Sequence, residues 1–214
     1  MRPLTLERPK PLVEVNGKPI IEHVIEALPP EVDEVIIIIG YKGKMIKERL
    51  GDSFDGRRIR YVHQWMPAGT AHALSLARPF LGGRFLLMNA DDIHGPEALA
   101  EAITHPLSIL VASHTEPEKM GVVQKRPDGT LASIIEKPEH PEGNLVSTGA
   151  MVLDERLFEY EAPRHESGEY FMTAPLASLA AEHPIMAVQQ SLWIPVGYPE
   201  DIERAETILR ELGK

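Results

Sequence analysis

The chain has no cysteine among its 214 residues, which excludes disulfides and thiolate metal sites. No apolar run approaches the roughly 20 residues of a membrane span; the longest, Val35 to Ile39, is strand length. Nothing resembles a signal peptide, so a cytoplasmic protein is the expectation. Cations are scarce: 22 Lys and Arg against 32 Asp and Glu leave a net charge of −10, which argues against broad nucleic-acid binding. Aromatics make up 6% of the chain, and Tyr41, Tyr61, Trp65, Tyr160 and Tyr198 are not spaced as a base-stacking platform. The nine histidines show no metal-ligand spacing, and HExxH is absent. A phosphate ligand stays open, because a few local cations and a metal ion can hold one on an acidic protein.

What is present is an ordinary soluble composition, 43% hydrophobic, long enough to bury a core without staples. There is no repeat, low-complexity segment or interdomain linker. Glu34 to Ile39, Arg58 to His63, Arg84 to Met88 and Leu107 to Ser113 read as strands. They alternate with helices over Pro19 to Leu28, Lys42 to Leu50, Thr70 to Ala77 and Pro96 to Ile103, the pattern of a mostly parallel, doubly wound α/β sheet. The second half reads as strands at Gly121 to Lys125 and Leu131 to Glu136 around a Pro127-Asp128-Gly129 turn, then Asn144 to Leu153, Ile185 to Gln190 and Leu192 to Ile194. Helices follow at Glu155 to Tyr160, Tyr170 to Ala181 and Pro199 to Leu212.

Proline is plentiful where the chemistry begins. Lys10 stands between Pro9 and Pro11, and each proline fixes its own φ and extends its predecessor, giving a stiff, non-helical loop. A lysine held this way loses little freedom on binding an anion. Asn16-Gly17 then marks a tight turn. Further on, Ala68-Gly69-Thr70 lies between a strand and a helix and lets backbone approach a ligand, with Thr70 read as the helix cap. Gln64 beside it offers the donor and the acceptor that a base edge requires. The run LLMNADDIH ends an apolar strand with Asp91 and Asp92, placing two carboxylates where α/β sheets bind ligands and suiting Mg²⁺ held by few protein ligands and several phosphate oxygens. Glu136 and Lys137 follow the Gly121-Val122-Val123 strand and the turn after it, and set a carboxylate beside a cation.

Taken in order, these stretches resemble the sugar-1-phosphate nucleotidyltransferases, which join a nucleoside triphosphate to a sugar phosphate and release pyrophosphate. The resemblance covers Met1 to about Leu212. It implies a three-layer, Rossmann-like, doubly wound fold with a smaller β-rich sugar-binding lobe. It also implies one domain over 1–214, with a nucleotide half at 1–113 and a sugar half at 114–214. It assigns Lys10 to the triphosphate and catalysis, and Gln64, Gly69 and Thr70 to the nucleobase. Asp91 falls to Mg²⁺, with Asn89 and Asp92 as second choices. Gly121, Glu136, Lys137, Thr148 and Gly149 fall to the sugar, Lys137 also holding the attacking phosphate. Where the family commonly has a second metal-binding Asp, this chain has Pro195, and Asp201 serves the last helix instead.

In that family a first strand and a Gly-rich loop ending in Gly-Thr-Arg precede this point. Here the chain begins inside the motif, and Arg2 does not take the loop arginine's role. The expectation is two open strand edges and a poorly stable chain, one that aggregates or fills the gap from another copy as a homo-oligomer. The simplest account of this start is that the sequence begins at an internal methionine of a longer protein. Two rival readings of function stand beside sugar nucleotidyl transfer: a cytidylyltransferase on a small alcohol phosphate, and a non-catalytic subunit that senses nucleotide or sugar phosphate. No nucleic-acid or membrane partner is expected.

Overall fold

A computed structural model describes residues 1 and 3–213; Arg2 lies outside them. The chain opens on two single 3-10 turns, Leu4–Leu6 and Lys10–Leu12, so the proline-bracketed loop around Lys10 is partly helical rather than extended. Pro11 is tolerated there because the first turn leaves its N–H positions unbonded. Strands β1 (Glu14–Val15) and β2 (Lys18–Pro19) form a hairpin. Its turn residues Asn16 and Gly17 have φ of 51° and 73°, the signs that a type I′ turn needs.

Next come α1 (Ile20–Glu26), β3 (Glu34–Ile39), α2 (Gly43–Leu50), β4 (Ser53–Phe54), β5 (Arg57–His63), α3 (Thr70–Ala77), β6 (Phe85–Met88), β7 (Asp92–His94), α4 (Pro96–Ala102) and β8 (Ser108–Ser113). The second half holds β9 (Gly121–Lys125), β10 (Leu131–Glu136), β11 (Leu145–Leu153), α5 (Thr173–Glu182), β12 (Met186–Gln189), β13 (Trp193–Pro195) and α6 (Glu200–Glu211). Glu155–Glu159 is a 3-10 turn rather than an α-helix. The helix expected from Tyr170 starts at Thr173, because Tyr170 is bonded elsewhere, as described below.

The chain divides into two compact units that interleave along the sequence. One comprises Met1–His63, Asn89–Pro96 and Leu192–Lys214; the other comprises Gln64–Met88 and Glu97–Ser191. The interleaving, which a cut between 113 and 114 does not reproduce, follows from β7 pairing antiparallel with β13, 99 or more positions later in the chain.

In the first unit β3 runs parallel to β5, and β4 closes antiparallel on β5. Ile21 and Ile25 of α1, Ile37 and Ile39 of β3, Ile46 and Leu50 of α2 and Ile59 of β5 form its core with Leu12. Burial of this β-branched and leucine surface is the main stabilising term. Glu22 is buried among it and accepts from Arg49 at 2.5 Å, which offsets part of its desolvation.

The second unit is built on β11, which is antiparallel to β6, β8 and β9. β9 pairs with β10, and β8 runs parallel to β12. The sheets are therefore mixed: β3–β5 and β8–β12 are parallel, while the hairpin and the long β11 introduce antiparallel ladders. Leu176 and Leu179 of α5 pack on Ile109, Leu131 and Leu153. Among the described residues β3 is laddered only to β5 and β6 only to β11, so each of these two strands keeps one unpaired edge.

Gly43 opens α2 against β3, and a Cβ there would stand 2.7 Å from the Ile39 Cβ, whereas Gly82 has nothing within 4 Å. Gly43→Ala is expected to lower stability by about 1–3 kcal/mol through overpacking, and Gly82→Ala to be neutral or slightly stabilising. Urea midpoints of the two variants check this, and equal midpoints would contradict the packing argument.

Candidate active site

The acidic run lies in the first unit. Asp92 begins β7 and is buried; Asp91 precedes it and is about one-third exposed. Lys10 donates to Asp91 Oδ2 at 2.5 Å, so residues 81 positions apart meet as an ion pair. Asn89 donates to Asp92 Oδ2 at 3.4 Å, and the Trp193 indole also bonds that carboxylate. Burial and then the charge of Asp91 raise the Asp92 carboxyl to about 7, against the opposing pull of Asn89, Lys10 and Trp193. Asp91 is thus the accessible anion of the pair and Asp92 the buried partner.

In the β7–β13 ladder Pro195 stands opposite Asp92, so no second carboxylate comes from there. Asp201 accepts from the Gly197 and Tyr198 amides, each at 2.8 Å, and pairs with Arg204. It therefore satisfies the orphan donors that precede α6. Among the described residues no three His, Asp or Glu side chains gather into a metal cage.

The base-reading candidates lie in the second unit. Gln64 Nε2 is 3.3 Å from the Gly69 carbonyl and 2.8 Å from His72 Nδ1. The carbonyl can only accept, which fixes the amide nitrogen on that side and points the amide oxygen away. Gly69, not Thr70, is the N-cap of α3, with φ of 90°; Thr70 is the first helical residue and exposed. A Cβ on Gly69 would lie 2.5 Å from the Tyr170 oxygen and 2.7 Å from its nitrogen. This closeness lets Tyr170 N donate to Ala68 O at 2.8 Å and accept at its own carbonyl from Ala71 N at 3.0 Å.

The same unit holds the sugar candidates. Glu136 ends β10 directly opposite Gly121 of β9. Lys137 follows with φ of 41°, a left-handed non-glycine residue, and its N–H donates to Met120 O at 2.9 Å. Its ammonium lies 3.9 Å from Glu136 Oε1 and 5.1 Å from the Phe171 ring centre. Thr173, first in α5, hydrogen-bonds Glu136, and a Cβ on Gly121 would meet Thr173 Cγ2 at 3.3 Å. Burial raises the Glu136 carboxyl above its ordinary value, against the opposing charge of Lys137 and the Thr173 bond.

Thr148 does not join this group. It is 1% exposed and donates to the Leu110 carbonyl at 3.1 Å, which takes its hydroxyl out of the set of sugar contacts. Gly149, with φ of 75°, sits where the β11 register shifts between Ser147 and Met151, and its role there is to bend the strand.

Four residues that the sequence reading passed over complete the second unit's groups: His72, Tyr170, Phe171 and Thr173. Only His72 carried a signal, lying eight positions after Gln64 on the helix that Gly69 opens.

The nucleotidyl transferase family matches residues 1–211. The chain is 32% identical over 213 residues to the bifunctional protein GlmU of Methanocaldococcus jannaschii, covering 98% of this chain and 51% of that protein. It therefore spans about half the length of that relative. It is 31% identical over 224 residues to the UTP–glucose-1-phosphate uridylyltransferase AglF of Haloferax volcanii, covering 99% and 92%. Among solved structures, a putative glucose-1-phosphate thymidylyltransferase from Bacillus anthracis superimposes with a TM-score of 0.86 at 24% identity, over 99% of this chain and 90% of that one; this likeness speaks to the fold.

A test of the Glu136 environment follows from the sign of its shift. The folded state binds the Glu136 proton more tightly than the unfolded state, so stability falls as pH rises from the ordinary value of 4.5 through the raised one, and the penalty is complete above both. Glu136→Gln is expected to be more stable than the parent near pH 7.5 and to flatten that decline. Urea melts across pH 4 to 8 measure it; a steeper decline in the variant would contradict the assignment.

Proposed function

Because the chain belongs to the nucleotidyl transferase family, we propose that it transfers a nucleotidyl group from a nucleoside triphosphate to a sugar 1-phosphate, of uridylyl, thymidylyl or guanylyl type. The observation that carries the reading is the adjacent Glu136 and Lys137 at the end of β10, with Gly121 opposite and their charges 3.9 Å apart. A half-buried carboxylate accepts sugar hydroxyls, and the neighbouring ammonium neutralises a phosphate. A small alcohol phosphate offers few hydroxyls to such a carboxylate, so the pair favours a sugar.

In the proposed reaction an oxygen of the sugar phosphate attacks the α-phosphorus of the triphosphate. A new P–O bond forms, the bond to the β-phosphate oxygen breaks, and pyrophosphate leaves with the electron pair. The attacking oxygen is already ionised at neutral pH, so no strong base is needed. The protein's task is to place two anions together and cancel their repulsion. Lys137 holds the attacking phosphate, Lys10 contacts the triphosphate, and Gln64 reads the base with the amide oxygen that Gly69 and His72 leave facing outward.

The donor set fits a hard divalent cation. Asp91 is the accessible carboxylate, its present partner Lys10 is itself a displaceable cation, and Mg²⁺ takes few protein ligands when phosphate oxygens supply the rest. Bound at Asp91, Mg²⁺ would supply positive charge to the triphosphate oxygens. Pro195 opposite Asp92 limits the protein's share to that one accessible carboxylate.

The test is pyrophosphate release with Mg²⁺ across the common nucleoside triphosphates and hexose 1-phosphates. Lys137→Met is expected to raise the KM for the sugar phosphate by about 10- to 100-fold, the range for losing a charged hydrogen bond, while leaving triphosphate affinity in place. Lys10→Met should show the reverse split, and Asp91→Asn should lose the Mg²⁺ dependence. Triphosphate binding with no pyrophosphate released by any pair would instead establish a sensing subunit.

A further inference from the structure

We propose that Phe171 is a positioning residue for Lys137, holding its ammonium where the acceptor phosphate is to be met. The inference rests on the reading of Lys137 given above. Lys137 is the one left-handed non-glycine residue among the candidate ligands, and such a backbone persists only where its surroundings over-determine it. Here the Lys137 N–H is tied to Met120 O, and the long side chain reaches the Phe171 face at 5.1 Å. A ring face attracts the ammonium without occupying a fixed acceptor site. The lysine is thereby confined, yet its three donors remain available to phosphate oxygens. Glu136, at 3.9 Å, is too far for a strong hydrogen bond and adds to the confinement by charge.

The ring itself is held. Phe171 lies at the end of a small hairpin whose turn is closed by Gly168 N to His165 O and His165 N to Glu169 O, each at 2.8 Å. His165 meets the Phe171 ring edge-on, centres 5.1 Å apart. One residue earlier, the Tyr170 backbone is clasped by Ala68 and Ala71. The loop assigned to the nucleobase and the lysine assigned to the acceptor phosphate are thus joined through two consecutive residues, Tyr170 and Phe171. Any shift of the Gly69 loop is transmitted to the ring on which Lys137 rests.

The experiment measures steady-state pyrophosphate release with UTP and glucose 1-phosphate, or with whichever pair the panel above shows to turn over. Phe171→Leu is expected to raise the KM for the sugar phosphate about two- to fivefold, the range for an exposed cation–π contact, with kcat and the triphosphate KM unchanged. Phe171→Tyr should restore the parent value, since it keeps the ring. In a Lys137→Met background, Phe171→Leu should have no further effect, which a general packing role for the ring would not produce. An equal rise in both backgrounds, no rise, or a fall in KM overturns the proposal while leaving the transferase reading intact. A Lys137→Met variant with unchanged acceptor KM overturns the role of Lys137 and this proposal with it, and silence of the parent with every pair overturns both readings.

Discussion

Gly69 has no room for a side chain, and the candidate site of the second unit depends on that constraint. The Tyr170 peptide fills the space a Cβ would need, 2.5 Å from the carbonyl oxygen, and bonds to Ala68 O and Ala71 N of the 68–71 loop. Those bonds stop α5 from extending back to Tyr170 and start it at Thr173. Thr173 then stands beside Glu136, and Phe171 beside Lys137. A positive φ at one loop glycine therefore fixes the start of a helix 104 positions later, and with it the surroundings of a carboxylate and a lysine.

The first unit works by charge rather than by fit. Two adjacent carboxylates at the end of an apolar strand cannot both remain ionised at no cost. The structure separates them by burial: Asp92 goes inward to Asn89 and Trp193 and keeps its proton up to about 7, while Asp91 stays outward with Lys10. The outcome is that Asp91 is the accessible carboxylate of the pair and carries Lys10 as its counter-ion. Pro195 suits this arrangement, since its missing N–H and apolar ring add neither charge nor donor beside Asp92.

Much of this was legible in the sequence. Glu34 to Ile39, Thr70 to Ala77, Gly121 to Lys125 and Leu131 to Glu136 form the elements their periodicity implies, because local pattern and burial agree there. The neighbourhood of Glu136, Lys137 and Gly121 was legible too, since a hairpin with a short turn brings its ends together. What could not be read was whatever depends on long-range backbone pairing. β7 is three residues long and exists only through β13. Tyr170 and Phe171 look helical by pattern, but the distant Ala68 and Ala71 claim the Tyr170 backbone. Thr148 was assigned to the sugar by resemblance, which does not say which side chains the sheet will cover; here it is buried and bonded to the Leu110 carbonyl.

The interleaving of the two units also orders events in time. The second unit draws its later and larger segment from residues 97–191 and its earlier one from 64–88, so all of it has left the ribosome before Leu192 does. The first unit cannot close β7 against β13, or seat α6, until the last 23 or so residues of this sequence have been made. Domains fold as units as their chain becomes available. The Lys10–Asp91 pair therefore waits, with its apolar helix α1 and strand β3 already synthesised, while the unit holding Glu136 and Lys137 is complete in sequence. The first unit is the late-maturing part of the protein, and the interval before residue 213 is when its apolar surface most needs shielding.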